Sequence, residues 1–312
     1  MEYEMKKALC FFNEALGIDS KELASELERG SIVVFPKSPV ALPSEDDLIF
    51  MRTELPKLLK RKNISYYPET GKLRGLKGAE VDVVERVNRI LIKVNGDIAK
   101  FLQENIPQLT ENWTIGTCSF RPLEEKERSL KPHASNELVH IDAGAYGATN
   151  GDRILRFFIN VNPHEDRVWA SQGSFLDVFK RHGDKADLGY TNAGPRYLSK
   201  SFLDHLRTGL VRLLSLGIPS LKIIDSSPYD RVMRKFHNYM KDTPDFQKDR
   251  NNYEEYNFPP LSAWMVYTDG VSHACLSGQY VFVQTALVPL KNAQLPELAP
   301  LNILRKAAEV VG

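Results

Sequence analysis

The stretch that most limits the architecture is RILRFFINVNP, residues 153–163. In extended backbone, successive side chains point to opposite faces. One face then carries Arg153, Leu155, Phe157, Ile159 and Val161, and the other Ile154, Arg156, Phe158, Asn160 and Asn162. The first face is nearly all apolar and fits a core between a sheet and packed helices. The second places a guanidinium and two amides inside a β-layered cavity. A buried cation is costly unless paired, so Arg156 needs an anion, either a protein carboxylate or a bound ligand.

The rest of the chain is consistent with one β-rich core. Residues 1–29 read as two short helices broken at GIDS, with Asp19 or Ser20 capping the second. SIVVFP (31–36) reads as a strand, and the basic stretch 54–78 as a helix end plus loops. The clearest helix is 79–106, where Val81, Val84, Val87, Ile90, Leu91 and Val94 recur at three- and four-residue steps and Gly96 is a point of bending or breaking. The period then changes. Residues 113–123 and 153–163 read as strands, 137–147 as a strand running into a glycine loop, and 262–290 as strands around the turn SGQ, while 164–260 reads as helices and polar loops. LNILRKAAEVV closes the chain as a helix. The expected organisation over 1–112, 113–163, 164–260 and 262–290 is N-terminal helices and first strands, core strands, an insertion acting as a lid, and the returning core strands, all in a single domain.

Composition excludes several classes. Forty-one basic residues against 40 acidic ones give a net charge of +1, so no overall field calls for nucleic acid. Cys10, Cys118 and Cys275 are far apart and form no CxxC, which argues against a disulfide framework or structural zinc and for a reducing compartment. The N-terminal residues lack a secretory pattern and no window approaches 18 uninterrupted apolar residues. A cytoplasmic location is expected, with any membrane contact made at the surface.

Chemistry concentrates just before the two-faced strand, in NELVHIDAGAYG (136–147). His140 and Asp142 share one side of an extended segment, so imidazole and carboxylate can converge on one ion. A hydrogen-bonded His–Asp pair is the competing reading. Downstream, His273 in TDGVSHACLSGQYVFVQT lies between strand-like segments, whereas His205 and His237 sit in helical patterns. His273 is therefore the preferred third ligand. Two histidines and one carboxylate on one face of an octahedron leave positions for a chelating 2-oxo acid and dioxygen, the arrangement of non-haem Fe(II) oxygenases. In that reading the guanidinium fork of Arg156 holds the distal carboxylate of 2-oxoglutarate.

The blocks SFRPLEEKERSLKPHASNELVHIDAGAYGATNGDRILRFFINVNPHEDRVW and WMVYTDGVSHACLSGQYVFVQT, together with ELERGSIVVFP and KNISYYPETGKLRGL, resemble the Kdo hydroxylases. These are Fe(II)- and 2-oxoglutarate-dependent dioxygenases that hydroxylate C-3 of 3-deoxy-D-manno-oct-2-ulosonic acid (Kdo) in Gram-negative lipopolysaccharide, giving Ko. The resemblance runs through most of the chain. It implies a double-stranded β-helix, a cupin-like jelly-roll with flanking helices and a large insertion between core strands. It implies iron on His140, Asp142 and His273, with 2-oxoglutarate and O2 as cosubstrates and ascorbate as a stimulant.

Many members of the wider superfamily carry Arg or Lys ten or eleven residues past the distal histidine, where this chain has Val283 and Gln284. That departure strengthens Arg156 and leaves Arg121 as second candidate, with Asn160 and Gln284 as hydrogen-bond donors to the cosubstrate. The implied substrate, Kdo-lipid A, is anionic. Lys57, Lys60, Arg61, Lys62 and Arg74 form a candidate patch for it or for lipid headgroups, against the plainer reading of a solvated charge run. A dioxygenase with another substrate, and a metal-binding but non-catalytic cupin-like sugar-binding protein, are the two alternatives.

Overall fold

The computed structural model describes residues 9–11, 19–60, 62–126, 131–144, 148–188, 198 and 227–309. His205 and Arg61 lie outside the described residues, as do most of the first expected helix and the stretch SKSFLDHLRTGLVRLLSLG.

Among the described residues, eleven strands build two sheets. They are β1 (Leu9–Phe11), β2 (Ile32–Phe35), β3 (Ile64–Tyr67), β4 (Lys72–Arg74), β5 (Thr114–Arg121), β6 (Arg153–Asn160), β7 (Arg167–Ser171), β8 (Glu254–Phe258), β9 (Ala263–Tyr267), β10 (Ala274–Ser277) and β11 (Val281–Val288). The large sheet runs β1-β2-β9-β6-β11-β5-β3-β4 and the small one β10-β7-β8. Apart from the parallel β1–β2 pair, neighbours are antiparallel.

β6 sits near the middle of the large sheet and behaves as its alternation requires. Leu155, Phe157 and Ile159 pack outward in one core with Val87, Leu91, Val94 and Ile98 of helix α1 (Val81–Asn105). Phe158 packs inward, in a second core shared with Trp169 and Phe258 of the small sheet and Trp264, Val281 and Val283 of the large one. The two sheets therefore close on an aromatic interior, the jelly-roll arrangement, with α1 as the outer cover. A third core joins helix α2 (Phe175–His182), helix α3 (Pro228–Asp242) and helix α4 (Pro300–Glu309) to Val139 and Ile141.

Four expectations are corrected. Residues 9–11 are strand rather than helix. Within 54–78 the β3–β4 hairpin extends the sheet, its chain reversed through Gly71 at φ +64°. Gly96 does not break α1, which runs through it from Val81 to Asn105. The insertion is not all lid: β7 and β8 lie within 164–260 yet form the small sheet with β10. Five-residue strands with charged ends, RVWAS and EEYNF, carry too little alternation to stand out from loops.

Candidate metal centre

The His140–Asp142 segment is extended but is not a strand of either sheet, which corrects the strand expected over 137–147. It is a single rung. His140 N donates to His273 O (3.0 Å) and His273 N to His140 O (2.8 Å), an isolated antiparallel bridge. Asp142 N donates to Thr268 O (2.9 Å). The other edge is held by side chains. Gln247 accepts from Val139 N (3.0 Å) through Oε1 and donates from Nε2 to Val139 O (2.9 Å). His237 of α3 donates from Nδ1 to Ile141 O (2.7 Å). Alternation then does the rest: Val139 and Ile141 enter the helical core, and His140 and Asp142 turn the other way.

That turn brings the three expected ligands together. One ligand atom each of His140, Asp142 and His273 lies within 4.8 Å of the others, and all three residues are buried. His140 Nε2 is 3.9 Å from Asp142 Oδ1. Both imidazoles are fixed in the same tautomer. Nδ1 of His140 donates to Leu138 O (2.7 Å) and Nδ1 of His273 to Val271 O (3.0 Å); a carbonyl only accepts, so each ring presents a bare Nε2.

Burial, with the neighbouring His273, holds His140 well below the usual histidine range. Burial likewise pushes His273 down to about 4, against the pull of Asp142. Burial opposes ionisation of Asp142, but the Arg156 guanidinium, with His273 and His140 beside it, outweighs that and keeps the carboxyl well below the usual range. Two neutral nitrogen donors and one carboxylate are thus ready at neutral pH. Asp142 Oδ2 is engaged by the Arg156 guanidinium at 2.8 Å, and Oδ1 is the oxygen that faces His140 Nε2. Two imidazole nitrogens and one carboxylate on buried residues fit a divalent first-row metal.

The cations behind the triad divide unequally. Arg156 Nη2 lies 2.8 Å from Asp142 Oδ2, so the anion it was expected to need is a protein carboxylate; its buried Nε has no acceptor among the described residues. Arg121 faces the same interior, two same-face rows away: β5 Arg121 and β6 Asn160 both pair with β11 Val281, as Arg156 pairs with Thr285. Desolvation and the Arg156 charge hold Arg121 down to about 10, and among the described residues its guanidinium makes no ion pair within 4 Å. Glu125, the carboxylate that attracts it, bonds Asn136 (3.0 Å) and lies 3.6 Å from Arg167. Trp169 stacks on His273 (ring centroids 5.3 Å, 24°), and its buried Nε1 also has no acceptor among the described residues. An unpaired guanidinium and orphan N–H groups beside a triad make an anion pocket.

Other expected site residues are placed elsewhere. Gln284 alternates outward on β11 and donates to Asn95 O (2.8 Å) and Asn95 Oδ1 (2.9 Å) on α1, away from the cavity. Asn160 faces inward but is consumed. Its Nδ2 donates to Glu165 O, Phe258 O and Pro259 O, and its Oδ1 accepts from Asn162 N, tying the loop after β6. In the basic patch, Lys57 pairs with Glu54 (2.9 Å), Arg74 stacks on Tyr67 (4.7 Å) and Lys60 is exposed. Among the described residues of the patch, Lys62 is the one that touches the turn before the ligand segment, donating to Ala134 O (3.3 Å).

Two residues near the triad were missed. His237 lies edge-on to His140 with ring centroids 5.1 Å apart, and Lys241 follows one turn later on α3. The i, i+4 spacing of a histidine and a lysine was the available signal, but a helix pattern does not say which face meets the site.

A family model described as 3-deoxy-D-manno-oct-2-ulosonic acid (Kdo) hydroxylase matches residues 14–310. Among solved structures, the Kdo hydroxylase KdoO, a non-heme Fe(II) alphaketoglutarate dependent dioxygenase, is similar in its apo form with a TM-score of 0.76 at 26% identity, covering 99% of this chain and 95% of that one. KdoO in complex with cobalt(II) gives a TM-score of 0.77, and in complex with alphaketoglutarate and Fe(III) 0.76, at the same identity and coverage. No curated protein sequence matches the chain.

Proposed function

The chain belongs to the Kdo hydroxylase family, and on that premise we propose a role for each part of its cavity. It is an Fe(II)- and 2-oxoglutarate-dependent dioxygenase that hydroxylates a Kdo-containing substrate. The observation that carries the site assignment is the convergence of two bare Nε2 atoms and one ionised carboxylate within 4.8 Å. His140, Asp142 and His273 hold the iron. When bound, the iron supplies the redox chemistry that couples decarboxylation of 2-oxoglutarate by O2 to oxygen insertion into a sugar C–H bond.

The remaining residues bind and orient. Arg156 keeps Asp142 ionised and aims its carboxylate. Arg121, whose guanidinium makes no ion pair within 4 Å among the described residues, takes the distal carboxylate of 2-oxoglutarate through its fork. This reverses the order expected from sequence. The aromatic interior around Phe158, Trp169 and Trp264 excludes water from the cosubstrate side.

The whole chain acts as one dioxygenase domain. Kdo-lipid A is the substrate this reading favours, met at the cytoplasmic face of the inner membrane by peripheral contact; no helix among the described residues is long and apolar enough to cross a membrane. Purified protein with Fe(II), ascorbate and 2-oxoglutarate is expected to release succinate, and Kdo-lipid A to accelerate the release. Succinate release that Kdo-lipid A leaves unchanged would remove the lipid substrate; no release at all would remove the iron-site assignment.

A further inference from the structure

Lys241 is 5% exposed, and its ammonium has no carboxylate within ion-pair distance among the described residues. Its Nζ donates to two backbone carbonyls, Ser135 O (2.8 Å) and His133 O (3.4 Å), in the turn that leads into the His140–Asp142 segment. One turn back on the same face of α3, His237 holds Ile141 O and lies beside His140. Lys241 therefore lies on the α3 side of the triad, termed the mouth, while Arg121 and Arg156 come from the strands. Lys62, on Ala134 O, adds a second positive charge to the same turn. The carboxylate whose field reaches Lys241 is Asp142, already opposed by Arg156.

The plain reading is that Lys241 staples the turn. The same polypeptide segment shows what a staple requires. Four residues beyond Ser135, Gln247 pins Val139 at both its N–H and its C=O with a neutral amide. Pinning backbone needs no charge, and a buried ammonium without a counter-ion is the more costly donor. A cation kept here under burial is suited to an anion that arrives from outside.

The substrate supplies one at the right distance. An ulosonic acid carries its carboxylate on C-2, so the carboxylate is attached to the carbon adjacent to C-3. When C-3 faces the triad, the carboxylate falls next to it and cannot reach a remote patch. The arginines behind the triad serve Asp142 and the cosubstrate, which leaves the mouth for the sugar. Resting on the Kdo reading above, we infer that Lys241 is the residue that binds the C-1 carboxylate of the sugar and so selects which carbon faces the iron.

The test is equilibrium binding of Kdo-lipid A, in detergent, to protein loaded with Co(II) and 2-oxoglutarate, followed by the visible cobalt band. The C-1 methyl ester of the same lipid is the second ligand. Lys241→Met is expected to weaken Kdo-lipid A by about tenfold or more, the loss typical of a charge-assisted contact. The ester is expected to bind wild type and Lys241→Met alike, and Lys241→Arg to regain part of the loss. Unchanged binding of Kdo-lipid A by Lys241→Met overturns the inference. So does an equal loss for acid and ester, which would mark Lys241 as a staple. Failure of the wild type itself to bind either lipid, with the cobalt and 2-oxoglutarate bands intact, overturns the Kdo reading and this inference with it.

Discussion

The two ends of the cavity hold positive charge in opposite ways. Behind the triad the cations are arginines on strands: Arg121 on β5 and Arg156 on β6, aimed inward by alternation, one of them against a carboxylate at 2.8 Å. At the mouth the cation is a lysine on a helix, buried against backbone carbonyls, with a histidine one turn away that braces the ligand segment. A strand fixes a side chain's direction with its neighbours' hydrogen bonds. The helix fixes Lys241 only through its packing on a loop about a hundred residues earlier in the chain. The rear is thus rigid and set by register, whereas the mouth depends on tertiary docking.

The contrast fails outright if the triad is not the boundary between the two ends. His140→Ala or His273→Ala is expected to lower Fe(II) or Co(II) affinity by orders of magnitude, since one of three ligands is lost. His237→Phe is expected to keep metal affinity within about tenfold, the lower range for an outer residue that orients a ligand segment. Metal titration of the three variants decides this; a loss at His237 matching that at His273 would make the mouth part of the metal site.

The rear is sharpened by separating its arginines. Arg121→Ala is expected to raise the 2-oxoglutarate requirement by roughly tenfold to a hundredfold while metal loading is retained. Arg156→Ala is expected to weaken metal loading as well, because Asp142 loses the charge that keeps it ionised. The cosubstrate Michaelis constant and a metal titration, measured on both, separate the roles. If Arg156→Ala alone raises the 2-oxoglutarate requirement, the anchor is Arg156, as the strand pattern first indicated.

Legibility follows the same division. The faces of residues 153–160 and the shared side of His140 and Asp142 could be read directly, because period-two alternation is a local signal, whereas His273 was picked out only by the strand-like segments around it, and the fold brings it to the other two. Gln284 was misplaced by reasoning from distance along the chain, where parity decides: Val281 and Val283 point inward, so Gln284 points out. Asn160 was assigned to the right face, but its amide is spent on Glu165, Phe258 and Pro259, contacts that exist only after the loops close. His237 and Lys241 were unreadable for the same reason. Their spacing was visible, and their docking was not.

The smallest expected effect lies at the mouth and is read by pH. Burial lowers Lys241 to about 8, with Lys62 adding to the shift and Asp142 opposing it. The unfolded chain keeps that proton up to about pH 10.4. Between those values the unfolded state binds more protons, so stability rises with pH in that window. The gain belongs to Lys241 and should vanish in Lys241→Met. Thermal melts of both proteins from pH 7.5 to 10 are expected to converge or cross by a few degrees, because about 1 kcal/mol moves a chain of this size by roughly 2 °C. Parallel curves would mean that Lys241 is not desolvated.

The mutual bridge between His140 and His273 has a consequence for how the centre is assembled. Each ligand's main chain closes a ring with the other's, at 3.0 and 2.8 Å. The spacing of two of the three donor residues is therefore settled when the polypeptide folds, before any ion arrives. Chelation then carries little ordering entropy of its own. Amide hydrogens of residues 140 and 273 are expected to resist exchange equally in the metal-free and loaded states. The ion would be captured by a site already in shape, and surrendered to a chelator without loosening the sheets around it.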